Sequence, residues 1–371
     1  MKLKKISALL LCLGMVCAGC SANGKEEKVQ KELTNHVIDS EKNTETGQTD
    51  IQETIMEHLT VNAKIEIPEA PLTSYTTEIK KFDAGKVAEL LWPESRKEEL
   101  IIEEYDAGAT EVTFQDERVA LGPGTMMYDK NSDITYISGL VAFAEESNLL
   151  EEKELGFMTV EQAAQNVETF LEKLELGGEL GEKQVFALSK EKLSSIQEMM
   201  KKDENYKYFY ESGKYQERTW DSDDEIYYLK YKFSMDGVPI LGVDSPTVQM
   251  SGGMERPLLA QPIECDILVS NAGICEVKLM GMLNQMEKEE EKQELIQYDG
   301  IKDALIKKFG DVILSDDYNL SGVWLEYFPK MKEDSFEEVE VIPVWCCKFE
   351  INGEEVDYAL RFHAFTGEEI S

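Results

Sequence analysis

Histidine sets the tightest limit on the chemistry open to this 371-residue chain, which has three: His36, His58 and His363. Zinc sites rich in histidine, and nucleophiles activated by one, need an imidazole held on a rigid scaffold. His36 and His58 fall in or beside a polar N-terminal stretch. Only His363 falls on an expected strand, sharing its less buried face with Arg361 and Phe365. The chain has no Gly-x-Ser-x-Gly elbow, no phosphate-binding glycine loop, no Cys-x-x-Cys and no His-Glu-x-x-His, the spacings that carry nucleophilic, phosphate and metal chemistry. The expectation is therefore no catalytic residue, no cofactor and no bound transition metal.

Weaker signals remain. Asp221-Ser222-Asp223-Asp224-Glu225 begins like a calcium loop, but Ile226 stands where that loop needs Gly and Lys232 where it needs Glu. A solvated acidic turn is expected, with weak calcium binding left open. Cys346-Cys347 suggests a soft-metal or redox pair, yet no third or fourth sulfur or nitrogen ligand is near in sequence, so strand packing is expected. Paired carboxylates at glycosidase spacing would support a hydrolase of wall polymers. With 74 Asp and Glu, some such pair is inevitable and carries little information. Tyr206, Tyr208 and Tyr210 alternate and are followed by Tyr215 and Trp220. On a strand the three tyrosines would share one face. Together with Trp220 they are the candidate binding residues, a stacking platform for a sugar or peptide. The alternative packs them on the helix that begins at Thr159, since aromatics are common in strands generally.

Elsewhere the chain is acidic, with 38 Lys and Arg and a formal net charge of −36. Such a surface repels phosphate backbones, which argues against nucleic-acid binding. Of seven cysteines, Cys265, Cys275, Cys346 and Cys347 lie beyond residue 20. Cys265 and Cys275 flank a hairpin turning at Asn271-Ala272-Gly273, and no hairpin register brings their Cβ atoms to disulfide distance. Cys346 and Cys347, adjacent on a strand, point to opposite faces. All four are expected to be free, buried and small.

The N-terminus explains how such a chain is placed. Met1–Lys5 is basic, Ile6–Val16 is apolar, and Ala18-Gly19-Cys20 follows. Eleven apolar residues are too few to span a bilayer, which takes about 20, but suit a signal peptide. The small residues before Cys20 resemble the bacterial lipobox. That resemblance implies a lipoprotein signal peptide at 1–20 and lipidation of Cys20. The alternative is plain secretion with cleavage after Ala18. Residues 21–58 are polar, too poor in apolar groups to offset their ordering entropy. They read as an acidic tether, with Ile51, Ile55 and Leu59 at helical spacing near its end.

The remainder alternates strand and helix signals irregularly, which predicts α+β with largely antiparallel sheets. Three parts are expected: an N-terminal domain at 59–150, a middle module at 156–258 and a C-terminal module at 259–371. In the first, Asp83 caps a helix through Val87, Leu90 and Leu91, and strands are expected at Val61–Ile67, Thr110–Phe114 and Ile134–Phe143. Gly122-Pro123-Gly124 turns. In the second, Thr159 and Gln162 form a capping box for an apolar stripe from Val160 to Leu174, ended by Gly177-Gly178. A second helix starts at Ser189, and Asp236-Gly237 turns a hairpin. In the third, Asp299 caps a helix through Ile301, Ala304, Leu305 and Phe309. Strands follow near Val323–Phe328, Val341–Ile351 and Val356–Phe365, with Asn352-Gly353 as the last hairpin turn. Trp345 is expected on the inner face of its strand, against the 301–309 helix.

Helix, strand, Ile342-Pro343-Val344-Trp345, then a strand ending Ala364-Phe365-Thr366-Gly367-Glu368 resembles the α+β module of PepSY-like and YycH/YycI-type extracytoplasmic proteins. With the lipobox, the tether and Phe157-Met158-Thr159 opening a helix, the chain is similar to an uncharacterised lipoprotein family of Gram-positive gut bacteria. The resemblance implies a non-enzymatic binding or envelope-sensing role on the outer side of the membrane, anchored by lipid and facing a protein or wall-derived ligand. It carries over no active-site residue.

Overall fold

Alternating apolar residues and tight turns dominate the chain from residue 48 on, and they assemble into two sheets. The computed structural model describes residues 48–66, 71–92, 99–105, 108–242, 262–289, 293–332 and 335–370. Cys20, His36, the signal peptide and most of the expected tether lie outside the described residues. The strands are β1 (Gln48–Met56), β2 (Leu59–Glu66), β3 (Tyr75–Glu78), β4 (Ile101–Glu104), β5 (Thr110–Phe114), β6 (Glu117–Gly122), β7 (Thr125–Asp129), β8 (Glu179–Leu188) and β9 (Ile226–Met235). They continue with β10 (Val238–Pro239), β11 (Glu264–Ser270), β12 (Gly273–Met280), β13 (Glu287–Lys288), β14 (Tyr318–Met331), β15 (Glu338–Ile351), β16 (Glu354–His363) and β17 (Glu369–Ile370). The helices are α1 (Ala84–Leu91), α2 (Ser132–Glu146), α3 (Val160–Lys173), α4 (Lys190–Met200), α5 (Lys207–Glu211) and α6 (Tyr298–Phe309). The class is α+β with antiparallel-rich sheets.

One sheet runs β1-β2-β14-β15-β16-β17, with β3 pairing both β13 and β15; only β2 and β14 pair in parallel between its named strands. The other runs β10-β9-β11-β12-β7-β6-β5-β4, with β8 on β9. These sheets cut across the expected boundaries. β7, from the first part, pairs β12, from the third, and β11 pairs β9. Residues 59–150, 156–258 and 259–371 are therefore not three separate folding units; Lys42–Ser371 forms one compact unit.

The main core lies on the inner faces of both sheets, where α3 packs on β9 and β12, and α6 on β1. α3 has the expected capping box: Thr159 Oγ1 accepts from Gln162 N, and Gln162 Oε1 accepts from Thr159 N at 3.0 Å. The helix stops at Leu174, before the two glycines, because Glu175 takes a positive φ of 53°. Asp83 and Ser189 cap α1 and α4 as expected. For α6 the N-cap is Gln297, and Asp299 lies in the first turn, where its charge suits the helix dipole. Trp345 is fully buried in the main core, its indole N–H donating to Ile296 O at 3.1 Å just before α6.

Three expected elements differ. Ile134–Phe143 is helix, not strand: Asn131 caps α2, and Ile134, Ile137, Leu140, Val141 and Ala144 bury one stripe on the outer face of the second sheet. Ile51, Ile55 and Leu59 lie in β1 and β2, not in a helix, so residues 48–58 are a hairpin where a tether is expected. A spacing of four is even, so it also fits one face of a strand. His58, with φ of 63°, turns the β1–β2 hairpin. The tyrosine run forms α5, not a strand. No helix among the described residues is long and apolar enough to cross a membrane.

Candidate functional site

The residues singled out from sequence are engaged in packing. Tyr206 OH donates to Glu146 at 2.7 Å, and its ring meets Phe143. Tyr210 and Tyr136 share a hydroxyl contact at 2.9 Å, while Trp220 is buried and stacks on Tyr136 at 5.8 Å. Only Tyr208 of this group is well exposed, at 68%. The run therefore fastens α5 to α2. Neither the open platform nor packing on the helix from Thr159 describes it, because residues 206 and 210 are one helical turn apart and 208 points away.

The remaining sequence candidates are occupied too. Asp224 accepts from Arg218 at 2.6 Å and from Asp221 N at 3.0 Å, and Asp221 accepts from Asp223 N at 2.8 Å. The acidic turn spends its oxygens on its own amides and on Arg218, Asn271 and the Lys190 amide. His363 Nδ1 accepts from Phe365 N at 3.2 Å, and burial holds its proton affinity below the ordinary histidine value. Arg361, expected on a less buried face, is itself buried. The four cysteines are free and buried, as expected. Among the described residues no group of three or more His, Cys, Asp or Glu is placed to hold a metal ion.

Sequence reasoning missed two clusters. The first is a cleft of about 360 Å³ lined by Thr76, Thr77, Glu78, Gln285, Glu287 and Glu338, with Asn284 and Lys332. It forms because β3 pairs β13 on one side and β15 on the other. Its floor is fixed by hydrogen bonds. Thr77 Oγ1 donates to Asn284 O at 2.9 Å, Asn284 N to Glu78 O at 2.9 Å, and Gln285 Nε2 to Leu176 O at 2.7 Å. Gly177 N donates to Leu283 O at 2.8 Å, and a Cβ on Gly177 would lie 2.0 Å from Asn284 O, so only glycine permits this approach. On the rim, Glu78 and Glu338 are register partners. Like charges directly opposed across strands are destabilising, and Lys332, 3.3 Å from Glu338, offsets one of them. The rim keeps a surplus of negative charge and offers acceptors to a cationic ligand.

The second cluster is a charged row on the outer face of the second sheet. Glu276 faces Asp129 in the β12–β7 register, and Asp129 faces Arg118 on β6. Asp266 lies between Lys230 and Lys278 in register. Ser138 of α2 lies over the row, its Oγ 2.5 Å from both carboxylate oxygens of Glu276. Glu145, later in α2, pairs with Lys230, and Tyr228 OH donates to Glu145 at 3.3 Å. Burial pushes Glu276 up to about 7; the Ser138 bond opposes this and the charges of Asp129 and Asp266 add to it. Burial, then Glu264, pushes Asp266 up to about 7 as well. Raised carboxyl groups are what an acid catalyst needs, but these sit beneath a helix and spend their contacts on serine, tyrosine and lysine.

No family model and no curated protein match the chain. In fold it is similar to the crystal structure of an uncharacterised protein from Eubacterium rectale, with a TM-score of 0.54 at 16% identity, over 87% of this chain and 93% of that one.

Proposed function

We propose that this chain is an extracytoplasmic lipoprotein, held at the membrane through Cys20, that binds an amine-bearing wall-derived peptide without turning it over. Export and lipidation rest on Ala18-Gly19-Cys20. Binding rests on the cleft: its floor is hydrogen-bonded into place, its rim is acidic, and no histidine or cysteine lines it. A hydrolase of wall polymers would need two carboxyl groups facing each other across an open cleft with one kept protonated. The carboxyl groups pushed up to about 7 lie instead under α2. The test is calorimetric titration of residues 21–371 with a purified muropeptide digest. Saturable heat that falls at least tenfold in affinity in Glu78→Gln/Glu338→Gln supports the reading. Absence of heat, or new digest products by chromatography, contradicts it.

A further inference from the structure

The charged row beneath α2 has a geometry that binding at the cleft does not use. Glu276 and Asp129 are direct partners across β12 and β7, and side chains so placed stand about 5 Å apart at Cβ. From β6, Arg118 reaches Asp129 at 4.0 Å but divides itself with Glu111 at 3.8 Å. From β12, Lys278 is taken by Glu264 of β11. From β9, Lys230 is taken by Glu145 of α2, and Tyr228 leans on the same carboxylate. From β11, Asp266 adds a further acid. From α2 itself, Ser138 supplies one hydroxyl hydrogen to two Glu276 oxygens. Lys278, whose charge favours the ionised form of Glu276, is itself paired with Glu264, so a charge on the buried Glu276 carboxyl group would rest on the Ser138 hydroxyl.

We propose that Glu276, standing opposite Asp129 beneath α2, keeps its proton, and that its loss as pH rises past neutrality loosens α2 from the sheet. The proton spares Glu276 a charge opposite Asp129 and keeps Ser138 seated over it. Without it, two carboxylates face each other under a helix whose other polar tie to this face, Glu145 with Lys230 and Tyr228, lies about two turns further on. The sign follows from linkage. A carboxyl group that binds its proton more tightly in the folded state than in the unfolded one contributes less to stability as pH rises through the folded value. For Glu276 that window ends near 7.

Hydrogen exchange of residues 132–146, corrected for intrinsic rate, tests this on the whole folded chain at pH 6 and pH 8. The expected result is a protection factor for α2 at least tenfold lower at pH 8, with β14 and β15 unchanged. Glu276→Gln, which replaces the titrating carboxyl group by a permanent amide, should remove the difference. Asp129→Asn, at the more accessible end of the pair, should do the same and serves if the first variant does not fold. Equal protection of wild-type α2 at both pH values overturns the proposal. So does a pH difference that persists in both variants.

Discussion

Replacing Trp345 by Ala measures how far the main core depends on the contact between β15 and the segment that leads into α6. Trp345 has no exposed surface, and its neighbours on the strand from Val341 to Cys347 are buried as well. Removing the indole opens a cavity that costs about 3–5 kcal/mol. Leaving Ile296 O without its donor costs about 1 kcal/mol more. For a unit the size of Lys42–Ser371, the entropy of unfolding is about 0.7 kcal/mol/K, so the midpoint should fall by about 6–9 °C. Trp345→Phe keeps most of the volume and loses the N–H bond, so its loss should be about a third of that. Differential scanning calorimetry at constant pH reads both values. If Trp345→Ala melts within about 2 °C of wild type, the indole is not the core element its burial and hydrogen bond imply.

Gly177→Ala should lower the melting midpoint by several degrees in the same instrument, since the new Cβ would lie 2.0 Å from Asn284 O, and it should weaken cleft binding with it. Tyr208→Ala should leave the midpoint within about 1 °C of wild type, as exposed substitutions usually do, whereas Tyr136→Ala should drop it clearly by removing the stack with Trp220 and the contact with Tyr210. Proton NMR should find His58 titrating above the ordinary histidine value, because Asp317 lies 2.6 Å from its Nδ1, and His363 titrating below it. The His58 contact to Asp317 is therefore strongest below the imidazole transition and is lost as pH rises through it. Growth with a labelled fatty acid should mark the wild-type protein and not Cys20→Ala; an unlabelled wild type would contradict lipidation.

Local signals in the sequence were read correctly where chemistry is short-range. Thr159 with Gln162, Ser189 and Asp83 cap helices by bonds to amides three residues on. Asp236-Gly237 and Asn352-Gly353 turn hairpins through paired positive φ values. The inward face of Trp345 followed from alternation along β15. Period was misread where one spacing fits two structures. Ile134-Thr135-Tyr136-Ile137 has strand-forming residue types, yet the Asn131 cap and the stripe through Leu140 and Ala144 make it helical. The tyrosines at 206, 208 and 210 alternate, but 206 and 210 also fit a helical turn. The cleft was invisible because Glu78, Glu287 and Glu338 come together only through pairing of strands more than two hundred residues apart. The same long-range pairing, β7 with β12, dissolved the expected three-part division and placed Asp129 opposite Glu276.

Binding at the acidic cleft, without turnover, is measured most directly by titrating residues 21–371 with the muropeptide digest, followed by chromatography of the recovered digest. The account predicts saturable binding, at least tenfold weaker in Glu78→Gln/Glu338→Gln with the melting midpoint retained, and a digest recovered intact. A digest cut into smaller products, or binding that the double variant leaves unchanged, would contradict it.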